Sequence, residues 1–297
     1  MKTVLISGVD GFTGKYVEEL LLSKGYKVIG LVFSEPGINQ VQCDLTNKES
    51  VRSCLEAVKP DYIINLAALS FVGHSDQKAF YDVNVFGALN LLDVAYELKL
   101  DIKKIILASS ANIYGTPENV LKISEEQSPS PMNHYAMSKL SMEYMCNLWN
   151  DKLPIIITRP FNYTGIGQAD NFLIPKIVNH FKNNKKVIEL GNIDVSRDFS
   201  DVRDIAKAYV NLLESNIIGE TVNLCSGNIY SLSEIIEIMN KIAGYEIEVV
   251  VNPLFVRPNE IKVLGGDNKK LTHLVGFKPD IKLEQTLLDM YNAKNSD

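Results

Sequence analysis

The chain has 297 residues, of which 46% are hydrophobic and 22% charged, with a formal net charge of −6 at pH 7. This composition is ordinary for a globular protein with one large domain, or with a domain and a smaller lobe. The acidic balance argues against a nucleic-acid partner, which a basic patch would mark.

Five short apolar segments in the first half of the chain alternate with segments of helical period. The apolar segments are TVLIS (3–7), YKVIGLV (26–32), YIINLA (62–67), KKIILAS (103–109) and LPIIIT (153–158). The helical segments lie near 14–24, 48–58 and 77–98 and around Tyr135. Apolar strands joined by helices predict a parallel sheet buried on both faces, and therefore a doubly wound α/β architecture.

A glycine-rich turn follows the first predicted strand. SGVDGFTG places Gly8, Gly11 and Gly14 in G-x-x-G-x-x-G spacing directly before a helix. Glycine permits a tight turn and a close approach of the backbone to a pyrophosphate, and the helix N-terminus favours its negative charge. A turn of this kind also occurs without a ligand, but its position in a βαβ unit predicts dinucleotide binding.

The end of the second predicted strand bears on the choice of cofactor. An acidic residue there would bond the ribose hydroxyls of NAD, whereas an arginine would favour the extra phosphate of NADP. The chain has Val32, Phe33 and Ser34 at this point, and Glu35 comes slightly late. The cofactor is therefore predicted as NADP or NAD, with Ser34 as a candidate contact for a 2′-phosphate.

The segment NHYAMSK (133–139) places Tyr135 four residues before Lys139. Positions i and i+4 share one face of a helix, so the phenol and the ammonium can approach each other. An ammonium nearby would favour the phenolate form of the tyrosine. The spacing alone is also compatible with two unrelated surface residues.

The second half of the chain has a less regular pattern. Helices are predicted near 171–184, 203–214 and 232–243, and short strands near 187–190, 221–225 and 247–251. We expect a dinucleotide-binding domain over residues 1–162, with contributions from about 190–226. A smaller lobe over 163–297 would then pack where the parallel strands end.

The cysteines and histidines have no spacing typical of a disulfide framework or a metal site. The four cysteines, Cys43, Cys54, Cys146 and Cys225, include no C-x-x-C pair. We interpret them as reduced thiols of a cytoplasmic protein and expect no metal. The N-terminus reads as a strand and not as a signal peptide, and the apolar runs are too short to span a bilayer, so no membrane partner is expected.

Seven short motifs lie between residues 8 and 165. They are GVDGFTG (8–14), Asp44-Leu45, NLAA (65–68), NVFGALNLL (84–92), SSANIYG (109–115), YAMSK (135–139) and RPFNYTG (159–165). Together they resemble the extended short-chain dehydrogenases/reductases, a family of nucleotide-sugar epimerases, dehydratases and reductases. The resemblance implies a Rossmann domain with a smaller C-terminal substrate-binding lobe, and it favours a working role for Tyr135 and Lys139.

The resemblance also implies roles for individual residues. Tyr135 would exchange a proton with the sugar, Ser110 would bond the reacting oxygen, and Lys139 would hold the nicotinamide ribose. These three are the predicted catalytic residues. The predicted cofactor-binding residues are Gly8, Gly11, Phe12, Gly14, Ser34, Asp44, Leu45, Ala67, Ala68, Asn84, Tyr135 and Lys139.

The last third of the chain narrows the resemblance. SRDFSDVRD (196–204), NLCSG (223–227) and NPLFVRPNEIKVLGGDNKKL (252–271) resemble the GDP-mannose 4,6-dehydratase branch and its GDP-4-keto-6-deoxymannose reductases. The substrate-binding residues implied are Ser70, Val72, Ser75, Asn162, Arg197, Arg257 and Glu260. Arg197 and Arg257 would bind the diphosphate. Alternatively, Arg197 pairs with an aspartate of its own stretch, and Ser70 and Ser75 only cap turns.

Two positions depart from the dehydratases of this branch. Their loop carries a glutamate where this chain has Asn112, which cannot act as a carboxylate base. His134 stands where the family often has proline, and we interpret it as a packing or polar rim residue, with a catalytic role as the alternative.

The sequence therefore predicts an NAD(P)H-dependent reductase of the C4 ketone of a GDP-4-keto-6-deoxy sugar, in deoxysugar biosynthesis. The alternatives are a nucleotide-sugar 4-epimerase with tightly bound NAD, a 4,6-dehydratase, and a non-catalytic dinucleotide sensor on the same fold. The family often pairs through the helices near 77–98 and 133–149, so we expect a homodimer.

Overall fold

The computed structural model describes residues 1–70, 75–117, 120–256 and 261–294. Its strands are β1 (Thr3–Ser7), β2 (Lys27–Val32), β3 (Gln40–Gln42), β4 (Tyr62–Asn65), β5 (Lys104–Ala108), β6 (Ile155–Pro160), β7 (Asn162–Thr164), β8 (Val187–Leu190), β9 (Ser196–Asp201), β10 (Thr221–Leu224), β11 (Ile229–Ser231), β12 (Glu248–Val251) and β13 (Val263–Leu264).

Its α-helices are α1 (Phe12–Ser23), α2 (Lys48–Val58), α3 (Gln77–Tyr81), α4 (Gly87–Glu97), α5 (His134–Asn147), α6 (Leu173–Lys182), α7 (Val202–Glu214), α8 (Leu232–Ala243), α9 (Lys269–Val275) and α10 (Leu283–Asn292). A π-helical turn, Asp82–Phe86, joins α3 to α4, and 3₁₀ turns cover Ala111–Tyr114 and Pro253–Phe255. No helix within the described ranges is long and apolar enough to cross a membrane.

Seven strands form one parallel sheet in the order β10-β6-β5-β4-β1-β2-β3. Its central strands are apolar on both faces because each face is covered by helices. One buried cluster packs the sheet against α1 and α7, and a second packs it against α2, α4 and α5. The predicted doubly wound α/β architecture is confirmed.

The remaining strands form two smaller sheets. Strand β9 pairs with β7, β11 and β13, while β8 pairs in parallel with β12. A third apolar cluster joins α6, α8 and α10 to β8 and β9. Because α6, α8 and α10 bury apolar residues against each other and against β8 and β9, this part of the chain has a core of its own.

Two features of the first half of the chain differ from the sequence-based expectations. The helix predicted over 77–98 is interrupted by the π-helical turn, and the short edge strand β3 was not predicted. The segment predicted as a strand over 221–225 joins the main sheet beside β6. Periodicity identifies a strand but not its neighbour in the sheet, which depends on the path of the whole chain.

Candidate active site

A cavity of about 990 Å³ opens at the carboxyl ends of the parallel strands. In doubly wound sheets, ligands bind at this edge. The cavity extends from the glycine turn after β1 to Tyr135 and Lys139 of α5. Its lining includes the predicted residues Gly8, Gly11, Phe12, Gly14, Asp44, Leu45, Ala67, Ala68, Ser70, Ser110, Tyr135, Lys139 and Asn162.

The glycine turn has no room for a side chain at Gly8 or Gly14. Gly8 has φ +69°, and a Cβ there would lie 3.0 Å from the backbone of Ala67. A Cβ on Gly14 would lie 2.2 Å from the carbonyl oxygen of Gly8. The first N–H groups of α1 have no partner within the helix, and residues of this turn line the cavity. The turn therefore fits a pyrophosphate, as a bound dinucleotide requires.

The far end of the cavity, away from Tyr135, is built from the chain after β2 and β3. Asp44 accepts hydrogen bonds from the backbone N–H and the hydroxyl of Thr46, at 2.9 and 2.7 Å. Phe33 and Cys43 also line the cavity here. Ser34 is exposed and is not part of the lining, although the adjacent Phe33 is.

Tyr135 begins the buried face of α5. Asn133 caps this helix by accepting a hydrogen bond from the N–H of Ala136 at 2.8 Å, which fixes the turn that carries the tyrosine. Burial raises the pKa of Tyr135 to about 12, while a hydrogen bond with Ser110 lowers it and the proximity of Tyr163 raises it. The expectation that an ammonium favours the phenolate is not met here, because burial of the phenol is the larger effect.

Lys139 is directed at the end of β5. Its Nζ donates a hydrogen bond of 2.6 Å to the carbonyl oxygen of Ala108, and the side chain is buried. Burial lowers the pKa of Lys139 to about 8, and Glu143 one turn further along the helix opposes that shift. The ammonium is thus held beside the cavity and loses its proton more readily than a surface lysine.

Ser110 lies at the start of the 3₁₀ turn that follows β5. Its Oγ accepts a hydrogen bond from the N–H of Asn112 at 3.2 Å, and it contacts the phenol of Tyr135. The serine is buried, and both it and Asn112 line the cavity. Two hydroxyls, those of Ser110 and Tyr135, can therefore reach one oxygen of a bound molecule.

Asn84 supports the site from behind. It lies in the π-helical turn, a feature frequent at functional sites. Its amide exchanges hydrogen bonds with the backbone of Leu69, at 3.1 and 3.3 Å, and donates one of 3.0 Å to Ser138. It is buried and is not part of the cavity lining, so in this structure it connects the loop after β4 to α5.

The predicted substrate-binding residues have different positions. Ser70 and Asn162 line the cavity, whereas Ser75 is exposed and does not. Arg197 is buried and donates to the backbone carbonyls of Ser196 and Lys262, at 2.9 and 3.2 Å. Val72, Arg257 and Glu260 lie outside the described residues.

The aspartates near Arg197 have partners of their own. Asp198 accepts hydrogen bonds from Ser226 and Gly227, and Asp201 accepts them from Arg203 and Thr286. Asp204 accepts hydrogen bonds from Lys207 and from the N–H groups of Asp280 and Ile281.

His134 is exposed, and its Nδ1 lies 3.0 Å from the hydroxyl of Tyr81, as expected of a polar rim residue.

Two of the cavity-wall residues that sequence reasoning missed, Thr13 and Tyr163, contact each other. The hydroxyls of Thr13 and Tyr163 lie 2.7 Å apart, and the ring of Tyr163 stacks on Phe12 at 6.0 Å between centroids. This contact joins the glycine turn to β7. Both residues belong to motifs quoted above, GVDGFTG and RPFNYTG, but a motif does not reveal that its side chains meet those of another.

Comparisons with known proteins identify relatives over nearly the whole chain. The family model described as GDP-mannose 4,6 dehydratase matches residues 5–290. The chain is 40% identical over 274 residues to a GDP-6-deoxy-D-talose 4-dehydrogenase of Aggregatibacter actinomycetemcomitans, covering 92% of this chain and 91% of that protein. It is 32% identical over 294 residues to a GDP-6-deoxy-D-mannose reductase of Pseudomonas aeruginosa, covering 96% and 94%. The structure of RMD from Pseudomonas aeruginosa complexed with NADPH matches with a TM-score of 0.86 at 31% identity, covering 98% of each chain.

Proposed function

The chain belongs to the GDP-mannose 4,6-dehydratase family of extended short-chain dehydrogenases/reductases, and we propose that it reduces the C4 ketone of a GDP-4-keto-6-deoxy sugar. It is an NAD(P)-dependent nucleotide-sugar oxidoreductase, similar to proteins named as a GDP-6-deoxy-D-talose 4-dehydrogenase and a GDP-6-deoxy-D-mannose reductase. The observation that carries the proposal is the pairing of a protonated Tyr135 with Ser110 in the cavity, with Asn112 where dehydratases have a carboxylate.

Different residues of the chain carry out different parts of the proposed reaction. The nicotinamide, when bound, supplies the hydride that reaches C4. Tyr135 donates its proton to the ketone oxygen as negative charge develops there, and Ser110 holds that oxygen by a hydrogen bond. Lys139 would hold the nicotinamide ribose. A phenol whose pKa is about 12 remains protonated near neutral pH and so suits the role of proton donor.

Among the described residues, the 3₁₀ turn beside the cavity has no carboxylate at the position where dehydratases carry one. Removing water across C5 and C6 requires a base for the C5 proton and an acid for the leaving hydroxyl. Among the described residues of the lining, the carboxylates are Asp10, Asp44 and Asp82, which lie on the glycine turn, at the far end of the cavity and on the π-helical turn. Ala111 and Asn112 of the 3₁₀ turn cannot titrate.

The test is an assay of two substrates. We expect GDP-4-keto-6-deoxymannose or a close relative to be consumed with one reduced nicotinamide per sugar, and mass spectrometry to detect a gain of two hydrogens. GDP-mannose should lose no water. Dehydration of GDP-mannose at an ordinary enzymatic rate would contradict the proposal, and purified protein with tightly bound NAD and no net reduction would favour a 4-epimerase.

We expect the affinity for reduced nicotinamide cofactor to fall as the pH rises through about 8, the pKa of Lys139. Below this pH the ammonium is charged and bonds the ribose, and above it the charge is lost. A hydrogen bond to a charged group is worth about 1.5–3 kcal/mol, so the Kd should rise by roughly tenfold or more. Fluorescence titration of the cofactor at a series of pH values measures this effect.

Lys139→Met is the control for this titration. The variant should bind the cofactor weakly and with little dependence on pH. If the wild-type Kd is constant from neutral pH to about two units above it, the charge of Lys139 does not contribute to cofactor binding.

A second part of the proposal is that the chain forms a homodimer through α4 and α5. These helices adjoin, and the ring of Tyr96 lies 5.6 Å from that of Trp149. A stripe of exposed apolar side chains runs along α5 and includes the residue directly after it. Its members are Met137, Tyr144 and Leu148, which are 42%, 61% and 73% exposed. A stripe of large apolar side chains on neighbouring helices is typical of a surface that a second copy covers.

Tyr144→Glu should convert this dimer to a monomer, because a carboxylate would be buried without a partner at the interface. Sedimentation equilibrium measures the mass of both forms. Ile218→Glu is the matched control, since Ile218 is 56% exposed but lies between α7 and β10. A monomeric wild-type chain would contradict the proposed pairing.

We also propose that the protein is cytoplasmic. The four cysteines are buried thiols, which is in keeping with a reducing cytoplasm.

We propose residues 1–162, with contributions from about 190–226, as the dinucleotide-binding domain and 163–297 as the nucleotide-sugar lobe. We also retain Ser34, next to the lining residue Phe33, as the contact for a 2′-phosphate of NADP.

A further inference from the structure

A buried polar cluster lies behind the two segments that carry the reacting hydroxyls. It consists of Tyr114, Glu143, Arg159 and Asn223, residues that are 0 to 8% exposed. None of the four belongs to the cavity lining. A molecule bound in the cavity would therefore not touch the cluster directly, and any effect of the cluster on the reaction would pass through other residues.

Arg159 is the centre of the cluster. Its Nε and one terminal nitrogen donate to the two carboxylate oxygens of Glu143, at 3.0 and 2.7 Å. Its other terminal nitrogen donates to the hydroxyl of Tyr114 at 2.8 Å, and its guanidinium lies 5.0 Å from the centre of the Tyr114 ring. Because the guanidinium group is planar and rigid, its hydrogen bonds hold two different segments of the chain in a fixed orientation relative to each other.

The two segments are those that carry Ser110 and Tyr135. Glu143 lies on α5, four residues after Lys139 and eight after Tyr135, on the same face of the helix. Tyr114 ends the 3₁₀ turn that begins after Ser110. Its hydroxyl also donates to Asn223 of β10 at 2.7 Å, so the turn is held from two sides.

We propose that Arg159, together with Glu143 and Tyr114, is a positioning residue that sets the distance between the Ser110 hydroxyl and the Tyr135 phenol. This inference rests on the reductase function proposed above. Both hydroxyls must meet one ketone oxygen, so a shift of α5 relative to the 3₁₀ turn would separate them. A buried ion pair adds little net stability compared with apolar residues, and here it sets the relative orientation of two segments.

Tyr114→Phe is the principal test, because it removes one oxygen and retains the ring. A misplacement of about 1 Å can cost a hundredfold in rate, so we expect kcat to fall by roughly tenfold. The KM for the sugar and the Kd for NADPH should stay within about twofold of wild type, because the cluster touches neither ligand. Arg159→Lys, which keeps the charge but loses the fork, should lower kcat further.

Tyr62→Phe is the matched control. Tyr62 is also a buried tyrosine, and its hydroxyl accepts a hydrogen bond of 2.8 Å from Lys2. It is the first residue of β4, so it lies at the amino ends of the parallel strands, opposite to the cavity. Each variant is assayed under conditions in which its circular dichroism spectrum shows that it is fully folded. A larger isotope effect on kcat with deuterated NADPH would further support positioning, because the hydride step would limit the rate more strongly.

Two results would overturn the inference. One is a folded Tyr114→Phe protein with the kcat of wild type. The other is a loss of kcat accompanied by equal losses of cofactor affinity and thermal stability beyond the control, which would indicate general loosening. A wild-type protein that reduces no 4-keto sugar would instead refute the proposed function, so the two failures are distinguishable.

Discussion

Tyr135→Phe is expected to lower kcat by roughly a hundredfold to ten-thousandfold, the usual contribution of a general acid. The phenol is 8% exposed and contacts Ser110, and its pKa of about 12 keeps it protonated at the pH of any ordinary assay. The variant retains the ring, which packs 6.1 Å from that of Phe80, so the fold should remain intact. Stopped-flow measurement of NADPH oxidation gives the rate.

The high pKa of Tyr135 also predicts the shape of the pH profile. The acidic form is present below about pH 12 and is lost only above it, so proton donation by this residue should not decline up to mildly alkaline pH. A loss of activity that sets in at a pH below 12 would come from other groups. The first of these is Lys139, whose ammonium loses its proton above about pH 8.

Tyr62→Phe again serves as the control, since it removes a buried hydroxyl far from the cavity. NADPH affinity should be nearly unchanged in Tyr135→Phe. A kcat within about threefold of wild type would remove Tyr135 from the proton transfer.

Gly14→Ala should weaken cofactor binding strongly and lower the melting temperature. The added Cβ would lie 2.2 Å from the carbonyl oxygen of Gly8 and 2.6 Å from the Cα of Val9, both backbone atoms that cannot rotate away. Overpacking of this kind costs about 1–3 kcal/mol, and here the strain acts on the turn that would hold the pyrophosphate. The Kd for NADPH should therefore rise by roughly tenfold to a hundredfold.

Gly37→Ala is the matched control for this substitution. A Cβ on Gly37 would meet the side-chain oxygen of Gln40 at 3.2 Å, and that exposed amide can move. Fluorescence titration and thermal denaturation measure both variants. Unchanged affinity and stability in Gly14→Ala would mean that α1 can shift without disturbing the turn.

Much of the fold and part of the site could be predicted from the sequence because they depend on local patterns. Five of the strands of the main sheet are short apolar runs separated by helical segments, a pattern typical of a parallel sheet buried on both faces. The glycine spacing required a turn that only glycine can form, and Gly8 and Gly14 prove too crowded for any side chain. The spacing of Tyr135 and Lys139 placed both on one face of α5, as the structure confirms.

Other features depended on tertiary structure because they arise where distant segments meet. Strand β10 joins the sheet beside β6 although some sixty residues separate them, and Tyr114 bonds Asn223 across 109 positions. Burial reversed the expected effect on Tyr135, since an ionised phenol loses its hydration when helices and strands enclose it. Lys139 bonds the carbonyl of Ala108, and Arg159 joins α5 to the turn of Ser110, through contacts that no spacing along the chain encodes. The sequence determined which side chains were available for chemistry, and packing of the chain decided their distances and charges.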